Sequence, residues 1–304
     1  MRIRIAHETR YRYEAPVRSL IQVLRLTPRD HDGQHVLRWK LEPDVDGRLR
    51  LREDALGNVV HVFSADGSLD AVTIRVVGEI ETADTGGVVQ GTVERVPDVF
   101  YLRDSDLALA DAAIREFAAD TVGAVGDDPL GAGHRLLAGV HREVAFDVRP
   151  TVVTTAAAEA FAGRKGVCQD LSHIFIAAAR HLGLPARYVS GYFRRGDAVT
   201  EQDAGHAWAE LKVAGLGWVG FDPANGISVS DAHVRVAVGL DYLGAAPIRG
   251  SRTGGGGETL DVHLTVEAAD GPWSPKQNQG QGQGQQQEQV WSPGQVQSQV
   301  QSGG

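Results

Sequence analysis

The chain has 304 residues, with 30 lysines and arginines against 39 aspartates and glutamates, a formal net charge of −9. That balance excludes a general nucleic-acid binder, which concentrates basic residues to track phosphates. The single cysteine, Cys168, excludes an intramolecular disulfide and a multi-cysteine zinc site. At 42 % hydrophobic and 23 % charged residues, the composition is that of a soluble globular protein with one large or two ordinary domains. The first seven residues alternate apolar with charged rather than forming the apolar run of a signal peptide, and no run of about 18 apolar residues marks a membrane span. A cytoplasmic location with no membrane or nucleic-acid partner is expected.

Residues 1–95 read as an accessory β-domain. Ile3 and Ile5 alternate with Arg2 and Arg4, Leu37, Trp39 and Leu41 with Arg38 and Lys40, and Leu49 and Leu51 with Arg48, Arg50 and Arg52. Period-2 alternation gives each strand one buried and one wet face, and turn clusters at 44–47, 57–58 and 66–67 separate the strands. An antiparallel sandwich or open barrel follows.

Residues 96–270 read as a second unit. A helix is expected over 105–119 with Asp104 or Ser105 as its cap, and further helix over 133–140. Strand patterns occupy 186–193, 205–213 and 218–222. The four glycines at 254–257 lack the Lys-Ser or Lys-Thr of a phosphate loop and read as a flexible connector, and a last alternating strand, 260–266, closes this unit. Residues 271–304 read as a disordered tail. From 277 onward it holds 12 Gln and 6 Gly, with Glu288 its one charge and Trp291 its one anchor, so it is either an interaction segment or an inert extension.

The chemistry concentrates around Cys168. Leu171, Ile174, Phe175, Ala178, Ala179 and Leu182 recur at steps of three and four, an apolar stripe along a helix that Gly183 caps and Pro185 ends. Cys168 falls in the first turn, beside free N–H groups and the positive end of the helix dipole, which favours a thiolate. A lone cysteine is more often a small buried hydrophobe, so a second feature is needed.

That feature is a hairpin. His206, Trp208, Glu210 and Lys212 share one face of its first strand, and Trp218, Gly220 and Asp222 one face of its return. A turn centred near Ala214 sets His206 directly opposite Asp222, with Cβ atoms roughly 4.5–5.5 Å apart, and a slip of two leaves them diagonal neighbours. A carboxylate beside an imidazole holds a general base in one tautomer and stabilises its cation.

Four motifs then line up in order: Gly166-Val167-Cys168-Gln169-Asp170 with His173; residues 183–192 from Gly183-Leu184-Pro185 to Gly191-Tyr192; Gly205-His206-Ala207-Trp208; and Gly217-Trp218 with Asp222-Pro223. Together they resemble the bacterial transglutaminase-like cysteine enzymes, and the N-terminal β-region is similar to the extra domain those proteins carry. The resemblance implies an α+β fold, an antiparallel β-domain followed by a papain-like, transglutaminase-like core with a helix on an antiparallel sheet. It implies Cys168 as nucleophile, His206 as base and Asp222 as orienting acid. Leu240 stands where the family's Gly-Arg-Asp-Tyr carries arginine, which bears on specificity and not on the triad.

Trp208, Gln169 and Tyr192 are weaker candidates for substrate contact, as is Tyr188. Asp170 reads equally as a helix starter and His173 as structural. The sequence 215–220 fits G-x-G-x-x-G, but strand pattern and Pro223 follow where a nucleotide fold needs a helix. No metal-ligand pair and no calcium loop occur, so neither metal nor cofactor is expected. The reading is acyl transfer from a peptide or glutamine-type amide through a thioester, with hydrolysis favoured. Amine transfer, as in a crosslinking transglutaminase, and a non-catalytic interaction module are the alternatives.

Overall fold

The computed structural model describes residues 1–147 and 151–269. The alternation at the N-terminus continues through a 26-residue strand, β1 (Arg2–Thr27), followed by β2 (Gln34–Pro43), β3 (Arg48–Glu53), β4 (Val59–Thr82) and the short β5 (Val88–Val89). A 3₁₀ turn, Asp98–Leu102, leads to α1 (Ala112–Val122), α2 (Pro129–Glu143), β6 (Ala145–Phe146), α3 (Ala157–Gly163), β7 (Lys165–Gly166) and α4 (Cys168–His181). The chain then runs through β8 (Ala186–Phe193), β9 (Glu201–Gln202), β10 (His206–Val213), β11 (Gly217–Asp222), β12 (Ile227–Ser228) and β13 (His233–Gly239). It ends with α5 (Tyr242–Ala245), β14 (Ile248–Gly254) and β15 (Glu258–Ala268).

β1 and β4 pair antiparallel along nearly their whole length, with a register break between Arg12 and Val17. On one side of the break β2 flanks β4 and β15 flanks β1; on the other β3 flanks β4 and β14 flanks β1. The two halves share an apolar cluster that includes Leu20, Leu24, Phe63, Val72, Ile74 and Val76. Ile3, Ile5, Ile80, Leu264 and Val266, at the other end of this sheet, join the core of the second layer instead. The sheet thus supports itself at one end and the second unit at the other.

Two expectations fail here. Leu49 and Leu51 are 40 % and 61 % exposed, because β3 is an edge strand whose six residues are all exposed. The last strand, assigned by sequence to the second unit within 96–270, pairs with β1 from Ile3–Ala268 to Tyr13–Glu258. Its alternation matches the edge of β1 that the other N-terminal strands leave open. The glycines before it are not a loose connector: they carry the chain from β14 into β15 along the same edge of β1, beside its register break. Gly254, Gly255 and Gly256 adopt φ of 88°, 96° and 62°, open only to glycine at low cost, and the Gly257 amide donates to Glu14 Oε2 at 2.9 Å.

The second layer is a six-stranded sheet in the order β12-β11-β10-β8-β13, with β5 added beside β11. One face packs under α4, where Ala207, Ala209, Leu211, Val219 and Phe221 meet Leu171, Ile174, Phe175 and Ala178 in one core. α1 begins later than its pattern suggested: Asp111, not Asp104 or Ser105, caps it by accepting from the Ile114 amide at 2.9 Å. Residues 105–108 form a turn closed by the Ala108 amide on the Ser105 carbonyl; Ala108 and Ala110 are buried, and the Leu107 carbonyl accepts from the Ala157 amide, which ties in α3. No helix among the described residues is long and apolar enough to cross a membrane. The Gln-rich tail with Trp291 lies outside the described residues.

Candidate active site

Cys168 opens α4 and is partly buried. Its start is fixed by Asp170, whose Oδ2 accepts from the Val167 amide at 2.8 Å, the helix-starting role that sequence allowed it. Burial, the dominant influence, raises the Asp170 carboxyl above its ordinary range. Gly166 makes this turn fit, since a Cβ there would come within 2.7 Å of the Asp170 side chain. The Ser172 hydroxyl donates to the Cys168 carbonyl at 2.7 Å.

His206 begins β10 and Asp222 ends β11. Ala209 faces Phe221 and Val213 faces Gly217, so the turn centres on Gly215 rather than Ala214. The register therefore sets Asp222 against Trp208, with His206 its diagonal neighbour rather than its direct opposite. The contact survives the shift: His206 Nε2 lies 2.7 Å from Asp222 Oδ2. Cys168, at the opening of α4, is the other group that favours the imidazolium, beside Asp222. The order sulfur, imidazole, carboxylate thus runs from α4 to the end of β11.

Asp222 is fully buried and accepts five hydrogen bonds. Oδ1 takes the amides of Ala224 and Asn225 at 3.1 and 3.2 Å, and Oδ2 takes His206, the Asn225 side-chain amide at 2.6 Å and His233 Nε2 at 3.1 Å. Burial alone would raise this carboxyl, but the hydrogen bonds and positive charge of its partners hold it far below the ordinary carboxylate range. Burial likewise disfavours the His206 cation. Hydrogen bonds to Asp222 and Cys168 outweigh that and push the imidazole up to about 10.

His233 and Asn225 escaped the sequence reading. Asn225 carried a signal, an Asn-Gly turn three residues after Asp222. His233 carried none, because β13 reaches the site by pairing with the far edge of β8, not with β11. Nε2 of both histidines and an oxygen of Asp222 lie within 4.8 Å of one another, donor types that a metal accepts. The Ser230 amide donates to His233 Nδ1 at 3.2 Å, which leaves the proton on Nε2. Both histidines then donate to the same oxygen, so hydrogen bonding alone satisfies the group.

The weaker candidates fall elsewhere. Trp208 is 1 % exposed and packs with Val189 and Val238, its ring 6.1 Å from that of His206, so it backs the base and offers no open wall. Gly191 leaves room for it: a Cβ there would lie 2.7 Å from the indole. Tyr192 is buried, its hydroxyl 3.0 Å from Nδ1 of His7 in β1, and so joins the two layers. Gln169 donates to the Val153 carbonyl at 3.0 Å, and Tyr188 is fully buried beneath α4. His173 is structural, accepting from the Tyr242 amide at 3.0 Å. Leu240 packs with the Tyr101 and Trp218 cluster, and Gly215 and Gly217 turn the β10–β11 hairpin rather than open a nucleotide-binding helix.

Residues 3–81 match the bacterial transglutaminase-like N-terminal region, and residues 115–223 match the transglutaminase-like superfamily core. The chain thus joins a bacterial transglutaminase-like N-terminal region to a transglutaminase-like core. An uncharacterized Mycobacterium leprae protein is 29 % identical over 276 residues, 87 % of this chain and 98 % of that one. An uncharacterized Mycobacterium tuberculosis protein is 28 % identical over 298 residues, 89 % and 94 % of the two chains. Among solved structures, a Cytophaga hutchinsonii protein designated a candidate cysteine protease superposes with a TM-score of 0.70 at 19 % identity, covering 90 % of this chain and 93 % of that one. The α+β fold is therefore that of transglutaminase-like, cysteine-protease-like proteins. Cys168, His206 and Asp222 lie inside the matched core, and His233 lies ten residues beyond it.

Proposed function

We propose that this protein is a thiol acyl-transfer enzyme that cleaves peptide or glutamine-type amides through Cys168, His206 and Asp222, with water as the favoured acceptor. One observation carries the reading: the His206 imidazole lies 2.7 Å from the buried Asp222 carboxylate and is favoured in its charged form by Cys168, the residue that opens α4. The proton shared by Cys168 and His206 rests on the imidazole, in keeping with its raised pKa, and the sulfur attacks the amide carbonyl carbon. The Cys168 amide, at a helix position without an intrahelical acceptor, donates to the oxyanion. The imidazolium returns its proton to the departing amine as the carbon–nitrogen bond breaks and a thioester remains. Water, deprotonated by His206, releases the acid and restores the thiol. Asp222 keeps Nε2 engaged throughout, and none of these steps calls on a metal or cofactor.

The test is mass spectrometry of a peptide mixture incubated with the protein and a primary amine. New acids or cleaved backbones that vanish with Cys168→Ala are expected. Amine-adducted glutamine without cleavage would shift the reading to a transferase. Identical product patterns from wild type and Cys168→Ala would remove the enzyme reading and leave an interaction module.

A further inference from the structure

We propose that His233 is a positioning residue for this thiol centre, holding Asp222 in the orientation from which it aligns His206, and that the N-terminal sheet holds His233 in place. The inference rests on the functional reading above and deepens it.

His233 has no solvent-exposed side-chain surface, and its ring lies 4.6 Å from that of Phe193 and 5.2 Å from that of Trp208. Enclosed on these sides, it has one donor, and that donor meets Asp222 Oδ2 at 3.1 Å. A carboxylate held only by His206 could rotate about its terminal torsion. With Oδ1 on two backbone amides and Oδ2 shared by two imidazoles and the Asn225 side chain, its plane is set from both ends, and His233 is the fully enclosed member of that set. The titratable groups around His233 are Asp222, the His206 ring at 6.0 Å, and Asp231 and Arg235 on its own segment, with Arg235 tied to Glu210 at 2.8 Å. Burial, the largest influence on it, favours the neutral form, so His206 alone carries the mobile proton.

The segment bearing His233 is gripped on both sides from the first sheet. Before it, the Thr82 hydroxyl donates to the Asp231 carbonyl at 2.6 Å, and the Met1 ammonium lies 3.9 Å from the Asp231 carboxylate. After it, buried Gln34 donates to the Arg235 carbonyl at 2.9 Å and accepts from the Arg235 amide at 2.8 Å. A side-chain amide bonded both ways to one residue's backbone acts like an added strand partner. It joins the start of β2 to the start of β13.

The test uses iodoacetamide alkylation of the full chain between pH 6 and 9, read by mass spectrometry; Cys168 is the one cysteine, so all labelling reports on it. His233→Met, matched in burial but without a donor, should slow alkylation at pH 6.5 about 10-fold and move its pH profile towards that of His206→Ala, an effect of the size seen when orienting partners are lost. His233→Gln, whose amide can reach the same oxygen, should return the rate to within about 3-fold of wild type, and Gln34→Met should show a smaller loss in the same direction. A folded His233→Met with the wild-type rate and profile, or a His233→Gln no better than it, overturns the positioning role. If His233→Met does not fold, the His233→Gln and Gln34→Met rates decide, and wild-type behaviour of Gln34→Met overturns the anchoring. If His206→Ala itself alkylates as wild type does, the triad reading fails rather than this one.

Discussion

The two faces of the second sheet are equally buried and chemically opposite. On β10, Leu211 turns towards α4 into an all-apolar core. Its neighbour Glu210, no more exposed, turns the other way into a network of charge. There Arg187 Nε donates to Glu210 at 2.6 Å and its Nη1 to both oxygens of Glu94 at 3.0 Å, while Arg235 closes on Glu210 at 2.8 Å. Arg187 also lies 3.8 Å over the Trp218 ring. An apolar face tolerates small slides, since dispersion is non-directional, whereas a buried ionic face has few arrangements that leave no charge unpaired. His206 and Asp222 share the face with that constraint. The α4 face supplies burial, and the opposite face supplies position.

Glu210→Gln should produce the largest effect, a loss of about 3–5 kcal/mol by urea denaturation, because Arg187 and Arg235 would both lose their buried counter-charge and Arg187 would keep only the partly exposed Glu94. Leu211→Ala, one residue away, should cost about 2–5 kcal/mol for lost transfer energy and a cavity. Similar sizes conceal different causes, which a second change separates: replacing Arg187 and Glu210 together with apolar residues of similar volume should recover much of the single-mutant loss. If the double variant is as unstable as the sum of the singles, the ionic account of this face is wrong.

A pH series sharpens the contrast. Burial pushes the Glu210 carboxyl up, but Arg235 and Arg187 outweigh it and hold it at about 2, below its ordinary 4.5. Its contribution is fully present above about 4.5 and is lost as pH falls towards about 2, so the gap between wild type and Glu210→Gln should narrow across that window. His206, held up at about 10 from 6.5, has the opposite sign: its contribution is present below about 6.5 and lost as pH rises through about 10. The Leu211→Ala gap should follow neither window.

Local patterns made most of the second unit legible. The Cys168 helix was readable because its stripe and its stop signals are contiguous, and the His206 hairpin because its strands are neighbours in sequence. What sequence missed depends on pairing between distant segments. The last strand has the alternation of any half-buried strand, and nothing local tells it to join β1 rather than the second sheet. His233 and the Gln34 clasp lie on strands separated by about 200 residues. Burial of Trp208 and Tyr192 is not legible locally, because alternation assigns a face and does not say what covers it.

The smallest expected effect lies at the outer end of the same charged row. Lys212 follows Glu210 on β10, with Nζ 3.2 Å from Asp98 and 5.3 Å from the Trp218 ring centre, but its side chain is 26 % exposed and that of Asp98 is 50 % exposed. Water and salt screen such a pair, so Lys212→Met should cost no more than about 1 kcal/mol, and most of that should disappear on raising the salt to about 1 M. The cost of Glu210→Gln, read in the same titration, should barely move, because its charges have no solvent around them. Salt-insensitive loss at Lys212 would mean that its contribution comes from packing of its stem on Trp218 and not from charge. Loss confined to Glu210 means that the face owes its strength to burial, which is also the condition that keeps the His206–Asp222 pair in one geometry.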